Sequence, residues 1–428
     1  MSRLRIVILG LVMGCVACPL HVGAAERKTI TVPLSDSLTL KDCYQLALKQ
    51  SEKIAIQQEL LKQTQAHFIQ ALSGILPHVS FELTEKRQDG SGNSAFTLRE
   101  VPERKFTFSQ PLFSGFKEFA AMAASRAEHR QRMEEKSRAE QLLFVDVVDA
   151  FYLLHTRRED LQALETTRST LVQRLDELGQ REQLGRSRRS EVASAEAQLR
   201  RVEADLEEVR SEEITARQLL EFLTGLFHID AITDTDFAMS ALEPEDVYLA
   251  KAPARADVRA AEEAWQVARH QTAIARSQFW PTVGVDGNYY TKRAGAAADV
   301  KWDVQLDVHV PLFQGGEALG ATQEAASRAR QAKLLFDQTQ RTATLDIRDA
   351  YVALETSLRR STALEKALEA TDTSYQLQVQ DYRLNLVNNL DVLQALQTLE
   401  DLRREVIQAH ADVKQRYWQL RVAIGETL

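Results

Sequence analysis

Beyond its N-terminal leader the chain holds a single cysteine. Cys15 and Cys18 fall in an apolar N-terminal stretch and only Cys43 lies past it, so no intrachain disulfide framework is available to the mature protein. Glycine and proline are missing over long intervals: residues 116 to 178 and 321 to 424 contain neither. Rich in Ala, Leu, Glu, Gln and Arg, both intervals read as uninterrupted helix. No later segment offers 18 consecutive apolar residues, which excludes a membrane-spanning helix. If the mature chain enters a membrane, it does so with strands. Positive charge is in deficit as well. The formal charge of −8 becomes −10 once residues 1–25, with Arg3 and Arg5, are removed, which argues against a nucleic-acid partner. The histidines His67, His78, His129, His155, His228, His270, His309 and His410 are scattered without metal-ligand spacing. Five methionines, Met1 included, make no relay for soft metals. No constellation for catalysis, metal or cofactor is present, so an enzyme is not expected.

The leader itself, "MSRLRIVILGLVMGCVACPLHVGAAERK", joins a basic start to an apolar run from Ile6 to Ala17 and then to small residues. This is a secretory signal over residues 1–25, with cleavage expected at Gly23 to Ala25. Lipidation at Cys15 or Cys18 is the alternative, but Met13 before Gly14 and Cys15 before Val16 fit a lipobox poorly.

What the chain does have is a second copy of itself. Asp149 and Ala150 recur as Asp349 and Ala350, Leu184 as Leu384, Val192 as Val392, Leu199 as Leu399 and Gly225 as Gly425. The expected division is a first repeat over 26–225, a linker over 226–254 and a second repeat over 255–428. Each repeat carries one antiparallel hairpin, about 78–112 and about 282–312, flanked by turn residues. After each hairpin comes a long helix, 116–184 and 316–384, and then a return helix, 188–225 and 388–425. Before each hairpin comes a shorter helix: about 39–76, opened by Thr39 as N-cap with Asp42 at N3, and about 255–279. Leu143, Val147, Ala150, Leu154, Leu161, Leu164, Leu171, Leu175 and Leu178 keep a heptad, with Arg157 and Arg168 in its two vacant slots. The return helices repeat it, from Val192 to Val209 and from Val392 to Val413, which implies left-handed supercoiling. The fold class is mainly α with a small β part.

The stretch "VKWDVQLDVHVPLFQGG" raises the functional question. Val300, Trp302, Val304, Leu306, Val308 and Val310 alternate strictly with Lys301, Asp303, Gln305, Asp307 and His309. Such a strand has one apolar and one polar face. Two hairpins give four strands near the length that crosses a bilayer, yet four strands do not close and open edges are not tolerated in lipid. A membrane reading therefore requires association: two chains give eight strands, three give twelve. The even residues would meet lipid while the odd ones line water. The rival reading, soluble hairpins capping a periplasmic coiled-coil scaffold, leaves the apolar faces uncovered.

The motifs "LTLKDCYQLALKQSEKIAI", "ILPHVSF" and "FWPTVGV" before the hairpins, "QPLFSG" and "VPLFQGG" after them, "ARADVRAAEEAW" and "YRLNLVNNLDVLQAL" together resemble the TolC-like outer-membrane efflux proteins. The resemblance covers essentially all of the mature chain. It implies a homotrimer with a twelve-stranded barrel in outer-membrane lipid, continued by a twelve-helix periplasmic tunnel. It also implies an inner-membrane pump, of RND or ABC type, reaching the tunnel through a periplasmic adaptor. Adaptor contact falls on the helical turns, at Leu184, Gly185 and Arg186 and at Leu384, Asn385 and Leu386. The neighbouring arginines Arg186, Arg188 and Arg189 are either a solvated surface or a match for acidic adaptor groups. The aperture falls on Asp391, projecting into the lumen, and on Tyr382, linked to Glu191. The second lumenal aspartate is matched by Gln394 and the latch arginine by Val387, so a double acidic ring and a charged latch are not expected. Asp391 also suits a helix N-terminus electrostatically. A protein-exporting system with the same fold is the functional alternative.

Overall fold

A computed structural model describes residues 37–235, 237 and 241–428. The signal segment with Cys15 and Cys18 lies outside the described residues. The elements in chain order are α1 (Leu40–Gln50), α2 (Glu52–Ser73), β1 (His78–Arg87), β2 (Glu100–Ser114), α3 (Lys117–Gln183), α4 (Arg189–Thr224), α5 (Glu245–Leu249), α6 (Ala256–Arg276), β3 (Thr282–Arg293), β4 (Trp302–His309), α7 (Glu317–Arg383) and α8 (Asn389–Ala423). Short 3₁₀ turns, Ala252–Ala254 and Ser277–Phe279, flank α6. No helix among the described residues is long and apolar enough to cross a membrane.

α3 and α7 are each 67 residues long, which at 1.5 Å per residue is about 100 Å. With no proline and only one glycine each, Gly179 in the last turns of α3 and Gly320 in the first turn of α7, the helices run on, and their ends are set by left-handed residues. Gly185 (φ 68°) and Asn385 (φ 60°) close the two helices. At the first, Arg186 N donates to Arg181 O at 2.8 Å and Gly185 N to Glu182 O at 2.9 Å. At the second, Leu386 N donates to Asp381 O at 2.9 Å and Asn385 N to Tyr382 O at 3.1 Å. These are two copies of one Schellman turn, and Asn is the side chain besides Gly that tolerates the position.

The first helix differs from the expected single span over 39–76. Thr39 and Asp42 form the capping box, with Asp42 N donating to Thr39 Oγ1 and Thr39 N to Asp42 Oδ2, both at 3.2 Å. At Ser51 the backbone turns extended (ψ 115°), and its hydroxyl accepts from Ile54 N, restarting the helix as α2. A serine hydroxyl competes locally for backbone bonds, and that is what breaks the run. β4 is likewise shorter than the alternation over 300–310. Val300 is held in the preceding turn by Ala297 O, and Pro311, without an N–H, follows Val310.

α3 packs against α4 and α8 along the heptad, burying Leu164, Leu171 and Leu178 with Ala195, Leu199, Val202, Leu206, Val392 and Leu396. The vacant heptad slots are bridged by ion pairs to α4: Arg157 to Glu212 at 3.1 Å and Arg168 to Glu203 at 3.5 Å. Nearer the strands, Phe144 stacks edge-on to Tyr44 and Trp418, tying α3 to α1 and α8. Burial, reinforced by nearby Glu140, pushes the Tyr44 phenol up to about 12.

One buried ion pair fastens the start of α6 to α7 and α8. Arg255, 2% exposed, donates through Nε to Asp257 at 2.7 Å, through Nη2 to Asp346 at 2.9 Å, and through Nη1 to the Ala423 carbonyl. Burial pushes the Asp257 carboxyl up, but the Arg255 bonds outweigh it and hold it below the usual range. Arg255→Met leaves Asp346 without its cation and Asp257 with only Arg138, 3.8 Å away. Asp346 rehydrates, so the expected loss lies at the low end for a broken buried pair, about 3 kcal/mol. The measurement is the melting of the helical circular-dichroism signal in detergent. A depressed carboxyl stays ionised in the fold after it has protonated in the unfolded chain. Its stabilising effect therefore holds at neutral pH and fades as pH drops below the ordinary aspartate range.

Candidate functional site

The four strands form one antiparallel sheet in the order β1-β2-β3-β4. Its register stacks like with like. Phe81 faces Phe106, which faces Tyr289, which faces Trp302; Val79 faces Phe108; Val285 faces Leu306; Val283 faces Val308. One side of the sheet is thus apolar across all four strands. Nothing in the described chain covers it: Val79 is 68% exposed, Trp302 67% and Leu306 63%. A contiguous apolar face of that extent is not left to water in a folded protein.

The opposite side is polar and internally bonded. Asp303 accepts from Asn288 Nδ2 at 2.8 Å, and Asn288 Oδ1 accepts from Thr107 at 3.3 Å. Gln305 donates to Asp307 at 2.6 Å. Lys105 bridges Glu82 at 3.2 Å and Glu103 at 3.3 Å. Asp303, Gln305, Asp307 and His309 share this side, and Lys301 precedes the strand, its carbonyl accepting from Tyr290 N.

Where the sheet meets the helices, aromatic side chains collect. Phe116 lies edge-on to Phe113 and Trp280, while Leu312 and Phe313 stand exposed. Aromatic belts of this kind mark the bilayer boundary in barrels. Gly115 is required here. Its φ is +66°, and a Cβ would lie 2.7 Å from the Ser277 carbonyl and 2.8 Å from Trp280 Cβ.

The helices continue the sheet's order, with α2 on α3, α3 on α6 and α6 on α7. Farther along, α4 lies on α3, α3 on α8 and α8 on α7, ending at the two Schellman turns. Leu184, Leu384 and Leu386 are exposed there, Leu386 at 70%, beside Gly185, Asn385 and Arg186.

The candidate aperture residues gather at this end, but not in the expected pairing. Asp391 is the N3 residue of a capping box: it accepts from Asn388 N and donates its own N–H to Asn388 Oδ1, both at 3.1 Å. Glu191 holds the equivalent place in α4, its carboxylate accepting from Ser187 Oγ at 2.6 Å and Arg188 N at 3.4 Å. Both bonds fall on Oε2, and Tyr382 and Glu191 share no hydrogen bond within the described chain. The Tyr382 ring instead lies against Arg174 and Arg181 of α3. Gln394 is exposed and Val387 joins the apolar core. Sequence reasoning missed Arg174 and the fully buried Asn389, which bond each other at 3.0 Å. Asn389 carried a signal, as a second asparagine following the N-cap; Arg174, next to a heptad leucine, carried none.

A sheet with one bare apolar face and one wet face, carried on helices far longer than a globule needs, defines a channel protein of the outer membrane with a periplasmic extension. The chain belongs to the Outer membrane efflux protein family, whose pattern matches residues 43–226 and 251–426. It is similar to the outer membrane protein TolC of Vibrio cholerae, 22% identical over 365 residues, spanning 82% of this chain and 83% of that one. It is also similar to the alkaline protease secretion protein AprF of Pseudomonas aeruginosa, 24% identical over 417 residues, spanning 91% and 85%. Among solved structures, CusC superposes with a TM-score of 0.81 at 17% identity, over 91% of this chain and 92% of that one. The open-state MtrE channel of Neisseria gonorrhoeae superposes at 0.77, over 90% and 89%. The protein is an outer-membrane channel of the efflux and secretion type.

Proposed function

We propose that three copies of the chain close into a twelve-stranded barrel, with Lys301, Asp303, Gln305, Asp307 and His309 lining its water-filled lumen. The helices continue it as a periplasmic tunnel. The observation that carries this is the single apolar face shared by all four strands, bounded by two unpaired edges, β1 and β4. Edges in hydrocarbon must pair, and pairing β4 of one copy with β1 of the next satisfies every strand. The duct is passive: an inner-membrane pump of RND or ABC type supplies the energy and hands over cargo through a periplasmic adaptor.

The adaptor meets the tunnel's inner end. Leu184, Leu384 and Leu386 offer it apolar knobs beside Gly185, Asn385 and Arg186, and exposed Arg186, Arg188 and Arg189 suit acidic groups on its helical hairpin. Three copies of Asp391 about the axis would favour cations at the aperture. The test is a planar-bilayer recording of the purified protein with its mass in detergent. Cation-selective single-channel steps from a trimer are expected, and a monomer without conductance contradicts the reading. A protein cargo is the second reading, favoured by the match to a protease secretion protein along 91% of the chain. Accumulation of an unsecreted protein in a deletion strain, with unchanged sensitivity to small toxic compounds, would select it.

A further inference from the structure

The apolar side of the sheet ends in positive charge at the edge farthest from the helices. Phe81, Phe106, Tyr289 and Trp302 form the last aromatic row, and the next residues out on the same side bring Leu83, Arg104 and Lys292 abreast. Lys292 owes its place to a β-bulge. Tyr290 stands opposite Lys105 on the polar side, and the following pair is Lys292 with Arg104. Thr291 is the extra residue, its hydroxyl donating to the Arg104 carbonyl at 3.1 Å. In unbroken register Arg104 would face Thr291, and Lys292 would fall opposite Glu103 among the polar side chains. The bulge turns the lysine to the apolar side.

Two cations directly opposite each other on one sheet face repel. Arg104 donates through Nη2 to Glu85 at 3.2 Å, while its Nε has no hydrogen-bond partner. Nearby Glu103 is engaged on the polar side by Lys105 and Arg293. Lys292, exposed, has no ion pair among the described residues. The height of the pair is informative. From Phe113 at the inner aromatic belt to Arg104, residues 113 to 104, the strand runs about 30 Å at about 3.4 Å per residue. Tilted by about 35–45°, as barrel strands are, it rises about 22–25 Å, which matches the height of a barrel's apolar band.

We propose that Arg104 and Lys292 bind the phosphate of an anionic lipid in the outer leaflet. The proposal rests on the reading of the sheet as part of a barrel in lipid. A phosphate between the two side chains accepts from the guanidinium and the ammonium together and cancels their repulsion. Below it, Leu83 and the Tyr289 and Trp302 rings receive the upper part of the acyl chains. A free phosphate would meet the same cations, but only a lipid also covers that apolar row.

The test is lipid retention by the purified assembly in neutral detergent, counted by native mass spectrometry. Diphosphorylated lipid A is titrated, with phosphatidylcholine and inorganic phosphate as the comparison probes. Wild type is expected to hold lipid A at least about tenfold more tightly than phosphatidylcholine, with inorganic phosphate failing to displace it. Arg104→Gln with Lys292→Gln weakens lipid A binding about tenfold or more, while Lys86→Gln, on the polar side of β1, stays within about twofold of wild type. If the double variant does not assemble, Lys292→Gln alone, with a loss of about threefold, stands in. Wild-type affinity for lipid A in the lysine variant and the double variant overturns the site, as does equal retention of phosphatidylcholine by wild type. Displacement by inorganic phosphate makes it a plain anion site and overturns the lipid assignment. A wild type that retains no lipid of any kind removes the barrel reading, and the site with it.

Discussion

Leu306→Lys is expected to abolish membrane assembly, whereas Gln305→Lys one residue away is accepted. The two side chains leave the same strand on opposite sides, since Leu306 stands opposite Val285 in the apolar row and Gln305 stands opposite Asp286 in the polar one. A lysine placed on the lipid face near the middle of a barrel strand costs about 2–4 kcal/mol. In the proposed three-copy barrel that cost becomes about 6–12 kcal/mol, comparable to the whole stability of an ordinary fold. Lysine at 305 instead enters a wet, acidic surface between Asp286 and Asp307, where it gains partners. Yield of membrane-integrated trimer after urea washing reads the difference. The account expects no detectable trimer for the first variant and a yield within about twofold of wild type for the second. Equal loss in both would mean that the sheet has no lipid side.

Leu384→Glu with Leu386→Glu is expected to silence transport in cells while the trimer still forms and inserts. Both side chains are two-thirds exposed and contribute little to the fold of the isolated chain. Against an adaptor helix each leucine would contribute about 1.5–3 kcal/mol on burial. Replacing the pair with carboxylates removes about 3–6 kcal/mol of contact, a loss of more than a hundredfold in affinity. Cargo export should fall to the level of a strain lacking the channel. Conductance and melting temperature measured on the purified variant separate this outcome from misfolding. Export at the wild-type rate would remove the turns from the adaptor contact.

Much of the fold could be read in advance because its rules are short-range. The heptad leucines that lead into the seam, Leu164, Leu171 and Leu178, are buried, as an a/d pattern demands. Asn385 shows the left-handed conformation that its alignment with Gly185 requires. The alternation through β4 was legible for the same reason, since side-chain direction in a strand follows the count of residues alone. What escaped depends on distance through space. Arg174 and Asn389 are 215 residues apart in the chain, and no local pattern announces their bond. In a heptad reading an arginine beside Leu175 belongs to the solvent side. Here its long stem crosses apolar surface and delivers the charge to a tyrosine. The Ser51 break was missed for a different reason: the strong helical pattern on both sides hid a hydroxyl that competes for backbone bonds.

The most direct test of the central claim is a spin-label accessibility scan across residues 301–309 of protein reconstituted in lipid. Single cysteines carry the label, and the buried Cys43 does not compete for it. Oxygen, which concentrates in hydrocarbon, should relax labels at 302, 304, 306 and 308, and a water-soluble nickel complex should relax those at 303, 305, 307 and 309. Uniform access of the nickel complex at all positions would place both faces in water and contradict the account.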